Sequence, residues 1–193
     1  MLTFYFAPGS SSMAAHIALH EVGAEFEPRP VSFARKETRE ASFLALNPEG
    51  KVPLLLVDGR PMTEVAGILV YLARRYPEAR LMPSGDPEAE GQVVSWMSFI
   101  ASTVHPARRQ GVEAARAVYA RVEPRLAGKT WVCGDYSVAD IHLFRLFWRF
   151  AYSIGGLPVE FPNLCAHYER MMKRTAVIRT LEAESAVGYE LPG

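Results

Sequence analysis

Residues 7–16 read APGSSSMAAH and stand between a strand pattern and a helix pattern. Alternating apolar residues over 2–6 predict a strand, and Pro8-Gly9 ends it. The hydroxyls of Ser10–Ser12 then precede a helical pattern over residues 12–22. A helix start with several hydroxyls and free backbone N–H groups suits an anion, including a thiolate. The alternative is that one serine caps the helix and the others are solvated.

Composition indicates a globular protein without a general surface for nucleic acid or anionic membranes. The chain has 193 residues, is 49% hydrophobic, and carries 21 basic and 21 acidic residues. Binders of nucleic acid or anionic membranes usually carry a basic excess. The most apolar run, residues 141–150, is interrupted by His142, Arg145 and Arg149, and no run reaches the length of a membrane span. The sequence has two cysteines, Cys133 and Cys165, and no cluster of cysteine and histidine with metal-ligand spacing. We therefore predict a cytoplasmic protein with no metal site.

The first part of the chain alternates strand and helix patterns, which predicts a mixed four-stranded sheet in the order βαβαββα. Along the sequence, one helix separates the first strand from the second, and another separates the second from the third. Asp58-Gly59 is a hairpin signal that adds an antiparallel fourth strand. The predicted elements cover residues 2–6, 12–22, 26–31, 40–46, 51–57, 60–63 and 64–76.

A segment rich in proline and glycine divides the chain. We predict an α/β domain over residues 1–77, a linker over 78–86, and an all-helical domain over 87–193. The predicted helices of the second domain cover residues 87–105, 112–126, 137–153, 162–174 and 176–184. The tail from residue 186 to 193 shows no period.

Three further stretches carry local signals. Val52-Pro53 at a strand entrance exposes backbone to an extended peptide if the proline is cis, although most such bonds are trans. Thr63-Glu64-Val65 opens a helix, and Thr63 is its predicted cap. Glu64 and the N–H of Val65 have two possible roles. They either bind a ligand's amino and carboxylate groups or form a plain helix start. Ser137 and Asp140 have capping-box spacing ahead of a helix that is apolar nearly all round, which predicts a buried central helix.

Together these stretches resemble the glutathione S-transferase family, and the bacterial beta class most closely. The resemblance covers nearly the whole chain and depends on the order and spacing of its motifs. These are Pro8-Gly9 with the serines and Ala15-His16-Ile17, Asn47-Pro48-Glu49-Gly50-Lys51-Val52-Pro53, Thr63-Glu64, Trp96 with His105, and residues 131–140.

The resemblance implies a thioredoxin-like first domain, a helical second domain and a homodimer. It also implies that Pro53 is cis, that the backbone of Val52 pairs with the cysteinyl unit of glutathione, and that Glu64 with the N–H of Val65 holds the γ-glutamyl end. His105 is expected near the sulfur. Its alternative is a histidine at a helix C-terminus, with Pro106 ending the helix.

The sequence departs from the class at the residues closest to the chemistry. Ser11 stands where beta-class enzymes usually have a cysteine, so thiol–disulfide exchange is not expected of it. Ser12 matches the hydroxyl that theta- and zeta-type enzymes use. Lys51 replaces a common glutamine and either contacts a glutathione carboxylate or is solvated. Ser11, Ser12 and His105 are therefore the predicted catalytic residues, and Lys51, Val52, Pro53, Glu64 and Val65 the predicted glutathione-binding residues.

The predicted function is conjugation of glutathione to a small hydrophobic electrophile, with glutathione as co-substrate and no other cofactor. A serine hydroxyl at the N-terminus of the first helix would favour the thiolate. The alternatives are a glutathione-dependent isomerase or reductase on the same fold, or a non-catalytic interaction protein.

Overall fold

The structure is a computed structural model and describes residues 1–190. The first part of the chain contains the seven elements that the sequence predicts, in the predicted order. They are β1 (Leu2–Phe6), α1 (Ser12–Glu21), β2 (Phe26–Pro30), α2 (Ala41–Leu46), β3 (Leu54–Val57), β4 (Arg60–Thr63) and α3 (Val65–Arg75). A short 3-10 turn, Glu37–Arg39, precedes α2.

The four strands form one mixed sheet in the order β2-β1-β3-β4. β1 runs parallel to β2 and antiparallel to β3, with Leu2 opposite Phe26 on one side and Val57 on the other. β3 and β4 form the predicted hairpin through Asp58-Gly59, both of which have positive φ. This mixed sheet confirms the predicted thioredoxin-like domain.

The third strand is shorter than the sequence predicted. We expected residues 51–57 to be extended, but the ladder begins at Leu54, which pairs with Tyr5 and Thr63. The Val52-Pro53 peptide bond is cis, as the resemblance implied. Proline also supplies no N–H to a ladder, so the sheet starts after Pro53 and leaves Val52 outside it.

The remaining elements are helical, as predicted. They are α4 (Pro87–Phe99), α5 (His105–Arg109), α6 (Val112–Val122), α7 (Val138–Ser153), α8 (Pro162–Met172) and α9 (Thr175–Val187). Further 3-10 turns cover Pro77–Ala79 and Glu123–Leu126.

The expectation that Pro106 ends a helix at His105 is wrong. A π-helical turn, Ile100–Val104, continues α4 directly into α5, and the helical path runs on to Arg109. Pro106 lies inside this continuous helical path, where it donates no backbone hydrogen bond to the preceding turn. π turns are rare and occur mostly as single turns within α-helices, as this one does.

The predicted buried helix is α7, and its capping box is formed. The Ser137 N–H donates to Asp140 Oδ2 over 2.9 Å, and the Ser137 hydroxyl accepts from the Ala139 N–H. Asp140 also accepts the Val132 N–H over 2.8 Å and lies 3.0 Å from His167 Nε2. Every residue from Val138 to Ala151 is buried, so α7 is the centre of the helical part of the chain.

Two compact units make up the described chain. One holds Met1–Leu72 together with the segment from Thr175 onward, and the other spans Ala73–Arg174. α9 packs on α1 and so belongs with the sheet, although we predicted residues 176–184 as part of the helical domain. The buried side chains of α9 recur on one face, at Ala176, Thr180 and Glu184, and this face supplies the packing.

The segment after α9 returns to the sheet unit. We predicted no regular structure from residue 186, whereas α9 extends to Val187. Glu190 then accepts hydrogen bonds from the Ser32 hydroxyl over 2.7 Å and from the Ala34 N–H over 3.0 Å. Residues 191–193 lie outside the described residues.

Over residues 1–190, no helix has both the length and the apolar character that a bilayer crossing requires.

Candidate active site

The loop between β1 and α1 is fastened by its own serines. Ser12 is 0% exposed; its hydroxyl donates to the Ala7 carbonyl over 3.1 Å and accepts the Ala7 N–H over 3.2 Å. The Ser10 hydroxyl lies 2.7 Å from that of Ser12 and accepts the Ser12 N–H. The hydroxyl of Ser12 is therefore committed to the loop, which it ties back to the end of β1.

Ser11 has a different environment. It is the N-cap residue of α1, is only partly buried, and makes no side-chain capping bond. Its hydroxyl donates to the carbonyl oxygen of Val52 over 3.1 Å. The structure thus brings together two predicted site residues, one from the catalytic set and one from the glutathione-binding set.

A buried carboxylate holds the same loop from α9. Glu184 is 0% exposed; its Oε2 accepts the Gly9 N–H over 2.6 Å, and its Oε1 lies 2.9 Å from His16 Nδ1. Glu184 was not identified from the sequence as a residue of the site. The available signal was an acidic residue eight positions after Ala176, on the apolar side of the last helical pattern.

A turn built on Asn47 positions the backbone at Val52. The buried Asn47 side chain accepts the Glu49 N–H and donates to the Lys51 carbonyl over 2.8 Å. Gly50 has φ +61°, and a Cβ atom there would lie 2.8 Å from the Thr38 carbonyl oxygen. Only glycine satisfies both conditions without displacement of the backbone.

Lys51 lies at the surface beside this turn. Its side chain is 60% exposed, and its ammonium nitrogen lies 2.5 Å from Glu49 Oε2. Its proposed contact with a glutathione carboxylate stays a prediction.

The start of α3 offers a carboxylate and free backbone N–H groups. Glu64, not Thr63, is the residue before the helix, because its carbonyl accepts the Ile68 N–H and Thr63 belongs to β4. Glu64 has φ +67°, a left-handed conformation that non-glycine residues rarely adopt and that is often found at functional sites. The N–H groups of the first turn, beginning with Val65, have no intrahelical acceptor.

His105 opens α5 in the helical unit. Burial, together with the positive charges of Arg145, Arg109 and Arg108, lowers its pKa to about 4. The imidazole is therefore neutral at neutral pH. It can take part in a hydrogen bond, but it carries no positive charge at neutral pH.

The cysteines are free thiols, and neither is activated. Burial raises the pKa of Cys133 to about 11, and the nearby Asp140 acts in the same direction. Burial also raises the pKa of Cys165. Both thiols are protonated at neutral pH.

Comparison with known proteins shows the family. Residues 1–74 match the family model "Glutathione S-transferase, N-terminal domain", and residues 89–175 match "Glutathione S-transferase, C-terminal domain". Glutathione S-transferase GstA of Escherichia coli O157:H7 is 30% identical over 199 residues, covering 95% of this chain and 98% of the relative. The chain belongs to the glutathione S-transferase family.

Solved structures agree with this assignment. A glutathione transferase homologue from Sulfitobacter with bound glutathione superposes with a TM-score of 0.87 at 31% identity, covering 95% of this chain and 98% of the other. A bacterial beta-class glutathione S-transferase from Sphingomonas chungbukensis gives a TM-score of 0.85 at 32% identity, covering 94% and 98%. The expected similarity to the beta class is confirmed.

Proposed function

We propose that the protein conjugates glutathione to small hydrophobic electrophiles and that the hydroxyl of Ser11 stabilises the reacting thiolate. The observation that carries this proposal is the 3.1 Å contact between the Ser11 hydroxyl and the Val52 carbonyl. It puts a partly exposed donor at the N-terminus of α1, next to the backbone expected to pair with the cysteinyl unit of glutathione.

The required energy is modest. A free thiol has a pKa of about 8.5, and lowering it by about two units requires roughly 2.7 kcal/mol. A hydrogen bond to a charged acceptor contributes about 1.5–3 kcal/mol, and a helix N-terminus contributes about 0.3–1 kcal/mol. Rotation of the Ser11 side chain away from the Val52 carbonyl would direct the donor at the sulfur.

Ser12 has a supporting role in this proposal. Its hydroxyl is buried and bonded to Ala7 in both directions, so it holds the loop rather than the ligand. Glu64 and the first N–H groups of α3 would bind the α-amino and carboxylate groups of the γ-glutamyl unit. His105 would contribute a neutral hydrogen-bonding group.

The proposed reaction is a nucleophilic displacement. With an aryl chloride, the sulfur–carbon bond forms, the carbon–chlorine bond breaks, chloride leaves, and the thiol proton passes to solvent. Serine acts as a donor and not as a nucleophile, because its hydroxyl is bonded to a carbonyl and not to a general base.

We also propose that the protein is a cytoplasmic homodimer that takes part in detoxification, which is what the family implies. Two free thiols are compatible with a reducing compartment. Size-exclusion chromatography with light scattering tests the dimer.

The test compares Ser11→Ala with Ser11→Thr, which retains a hydroxyl. We expect Ser11→Ala to raise the pKa of bound glutathione by about one to two units and to lower kcat about tenfold or more, with Ser11→Thr retaining most of both. Ultraviolet absorbance of the thiolate gives the pKa, and mass spectrometry of the aryl conjugate gives turnover. An unchanged pKa and turnover in Ser11→Ala would overturn the role of Ser11.

The same assay separates the alternative functions. An isomerase or reductase consumes its substrate without forming a conjugate. An interaction protein binds immobilised glutathione without turnover, or does not bind it.

A further inference from the structure

The unit that holds the sheet contains a cavity that the candidate active site does not use. Its volume is about 540 Å³, and residues of α1, β2 and α9 line it. Ligand sites in proteins have volumes of about 300–1,000 Å³ and are lined mainly by apolar and aromatic side chains. Of the described residues that line this cavity, none belongs to the predicted catalytic or glutathione-binding sets. All of them lie within the same compact unit.

Four aromatic rings in mutual contact form one wall of the cavity. The ring centroids of Phe6 and His16 lie 4.7 Å apart, and His16 stacks on His20 at 5.1 Å. Phe26 meets the His20 ring edge-on at 5.5 Å. Aromatic rings pair favourably in stacked and edge-to-face arrangements at such distances, so this wall offers contacts of both kinds to a further planar ring.

The cavity is formed before any ligand binds. His16 Nδ1 lies 2.9 Å from Glu184 Oε1, and both side chains are buried, so the aromatic wall is held against α9. One helical turn apart on α9, Ala183 and Val187 add aliphatic surface, and Val187 is 51% exposed. A preformed site spares a ligand the cost of ordering protein groups.

One polar atom of the aromatic wall lacks a partner. Among residues 1–190, His20 Nε2 is buried and makes no hydrogen bond, which costs free energy. Burial, together with His16 and Arg179, lowers the pKa of His20 to about 4, so the imidazole is neutral at neutral pH. A neutral imidazole nitrogen donates or accepts according to its tautomer, whereas a hydroxyl group can do both. A ligand hydroxyl therefore matches either tautomer of His20.

We propose that this cavity binds a small uncharged phenol, with its ring against the aromatic wall and its hydroxyl bonded to His20 Nε2. Because Nε2 is shielded from solvent, the imidazole turns toward the hydroxyl as the ligand binds, and the broad χ2 preference of histidine permits this turn. A phenol is un-ionised at neutral pH and so brings no charge to the neutral imidazole or to Glu25, which also lines the cavity. The inference does not depend on the proposed function.

The test measures binding of 2-naphthol by equilibrium dialysis at pH 7, with saturating S-hexylglutathione present. That compound fills the proposed glutathione and electrophile sites, so the dialysis reports binding elsewhere. We expect one 2-naphthol per chain. No binding, or binding that S-hexylglutathione prevents, would overturn the proposal.

Two variants test the location. Ala183→Trp places an indole in the cavity and should weaken 2-naphthol binding about tenfold or more. Ser185→Trp is the matched control, because it adds the same side chain two residues further along α9, at an exposed position that faces away from Ala183. Equal 2-naphthol affinities in the wild type and Ala183→Trp would overturn the cavity as the site. Circular dichroism shows that each variant is folded.

The role of His20 is tested with a second ligand, 2-methylnaphthalene, in which a methyl group replaces the hydroxyl. His20→Phe keeps a ring in the wall but removes the nitrogen. It should weaken 2-naphthol about fivefold, the worth of one net hydrogen bond, and should not weaken 2-methylnaphthalene. An unchanged 2-naphthol affinity in His20→Phe would overturn the hydrogen bond. Tighter binding of 2-naphthoate than of 2-naphthol to the wild type would overturn the uncharged class of ligand.

Discussion

The Ser11 hydroxyl donates a 3.1 Å hydrogen bond to the carbonyl oxygen of Val52, 41 residues further along the chain. Ser11 is the N-cap residue of α1, and Val52 immediately precedes the cis proline at the entrance to β3. A thiol that meets Ser11 therefore lies within reach of the backbone of Val52. Two motifs that are distant in sequence therefore meet in the fold.

Ser11→Cys should form a mixed disulfide with glutathione, because residue 11 is partly exposed and faces the proposed cysteinyl position. The new thiolate attacks glutathione disulfide, a protein–glutathione disulfide forms, and one glutathione thiolate leaves. Intact-protein mass spectrometry checks for one adduct that dithiothreitol removes. Ser12→Cys is the control, since residue 12 is 0% exposed. Equal labelling of both variants would contradict the assignment.

Gly50→Ala should weaken both folding and glutathione binding. Residue 50 has a positive φ, and the added Cβ atom would lie 2.8 Å from the Thr38 carbonyl oxygen. The backbone beside Val52 must therefore move. We expect a loss of about 3 kcal/mol in unfolding free energy, measured in urea, and a higher KM for glutathione. Gly59→Ala has the same φ problem in open space and should cost only about 1 kcal/mol. Similar losses for the two variants would show that the close approach has no effect.

Glu184→Ala should destabilise the sheet unit and raise KM for glutathione. The change removes the buried carboxylate that accepts the Gly9 N–H and contacts the His16 ring. Breaking a buried pair of this kind costs about 3–5 kcal/mol. Chemical denaturation and steady-state kinetics measure the two effects. Glu182→Ala, on the exposed side of the same helix, should change neither; a wild-type KM in Glu184→Ala would mean that α9 does not position the loop.

Asp140→Ala should be more damaging than Ser137→Ala. Asp140 accepts the Val132 and Ser137 N–H groups and contacts His167. The Ser137 hydroxyl accepts the Ala139 N–H and donates to Asp140. We expect losses of about 3 kcal/mol or more and about 1 kcal/mol in unfolding free energy, measured by urea denaturation. Equal losses of unfolding free energy in the two variants would indicate that the other contacts of Asp140 add no stability beyond the capping box.

Stability should fall on mild acidification, and His142 should account for part of the fall. Burial, together with His105 and Arg145, lowers the folded-state pKa of His142 to about 3, against about 6.5 when unfolded. The unfolded chain therefore binds the proton first, and the unfolding free energy decreases as pH drops below about 6.5.

The loss from His142 alone should be about 1 kcal/mol between about pH 7 and about pH 5.5. Urea denaturation of His142→Phe should show a pH dependence smaller by that amount. An identical pH dependence in the two proteins would contradict a depressed pKa for His142.

Periodicity was enough to predict the order of elements and the mixed sheet, because strands and helices place apolar residues at different intervals. It could not predict the π turn before His105. There, Pro106 signalled the end of a helix, and only the tertiary environment allows the helical path to continue. Periodicity also could not show that Glu64 has a left-handed conformation before α3, because residues other than glycine rarely adopt that conformation.

The sequence predicted the motifs of the candidate site, but it did not predict the different roles of the residues within them. The sequence offered Ser11 and Ser12 as equivalent hydroxyls, and only the fold shows that Ser12 turns inward to Ala7. Arg145 and Arg149 counted only as interruptions of an apolar run, although their spacing from His142 places all three on one helix face. Glu184 escaped detection because its partner Gly9 is 175 residues away.

That long separation has a consequence for biosynthesis. Gly9 leaves the ribosome early, but the carboxylate that holds its N–H is not yet translated. At about 5–20 residues per second, the gap is on the order of ten seconds or more. During that interval the loop that carries Ser11 lacks the contact with Glu184, and a truncated chain without residue 184 lacks it permanently. Completion of the loop between β1 and α1 is therefore tied to the translation of α9.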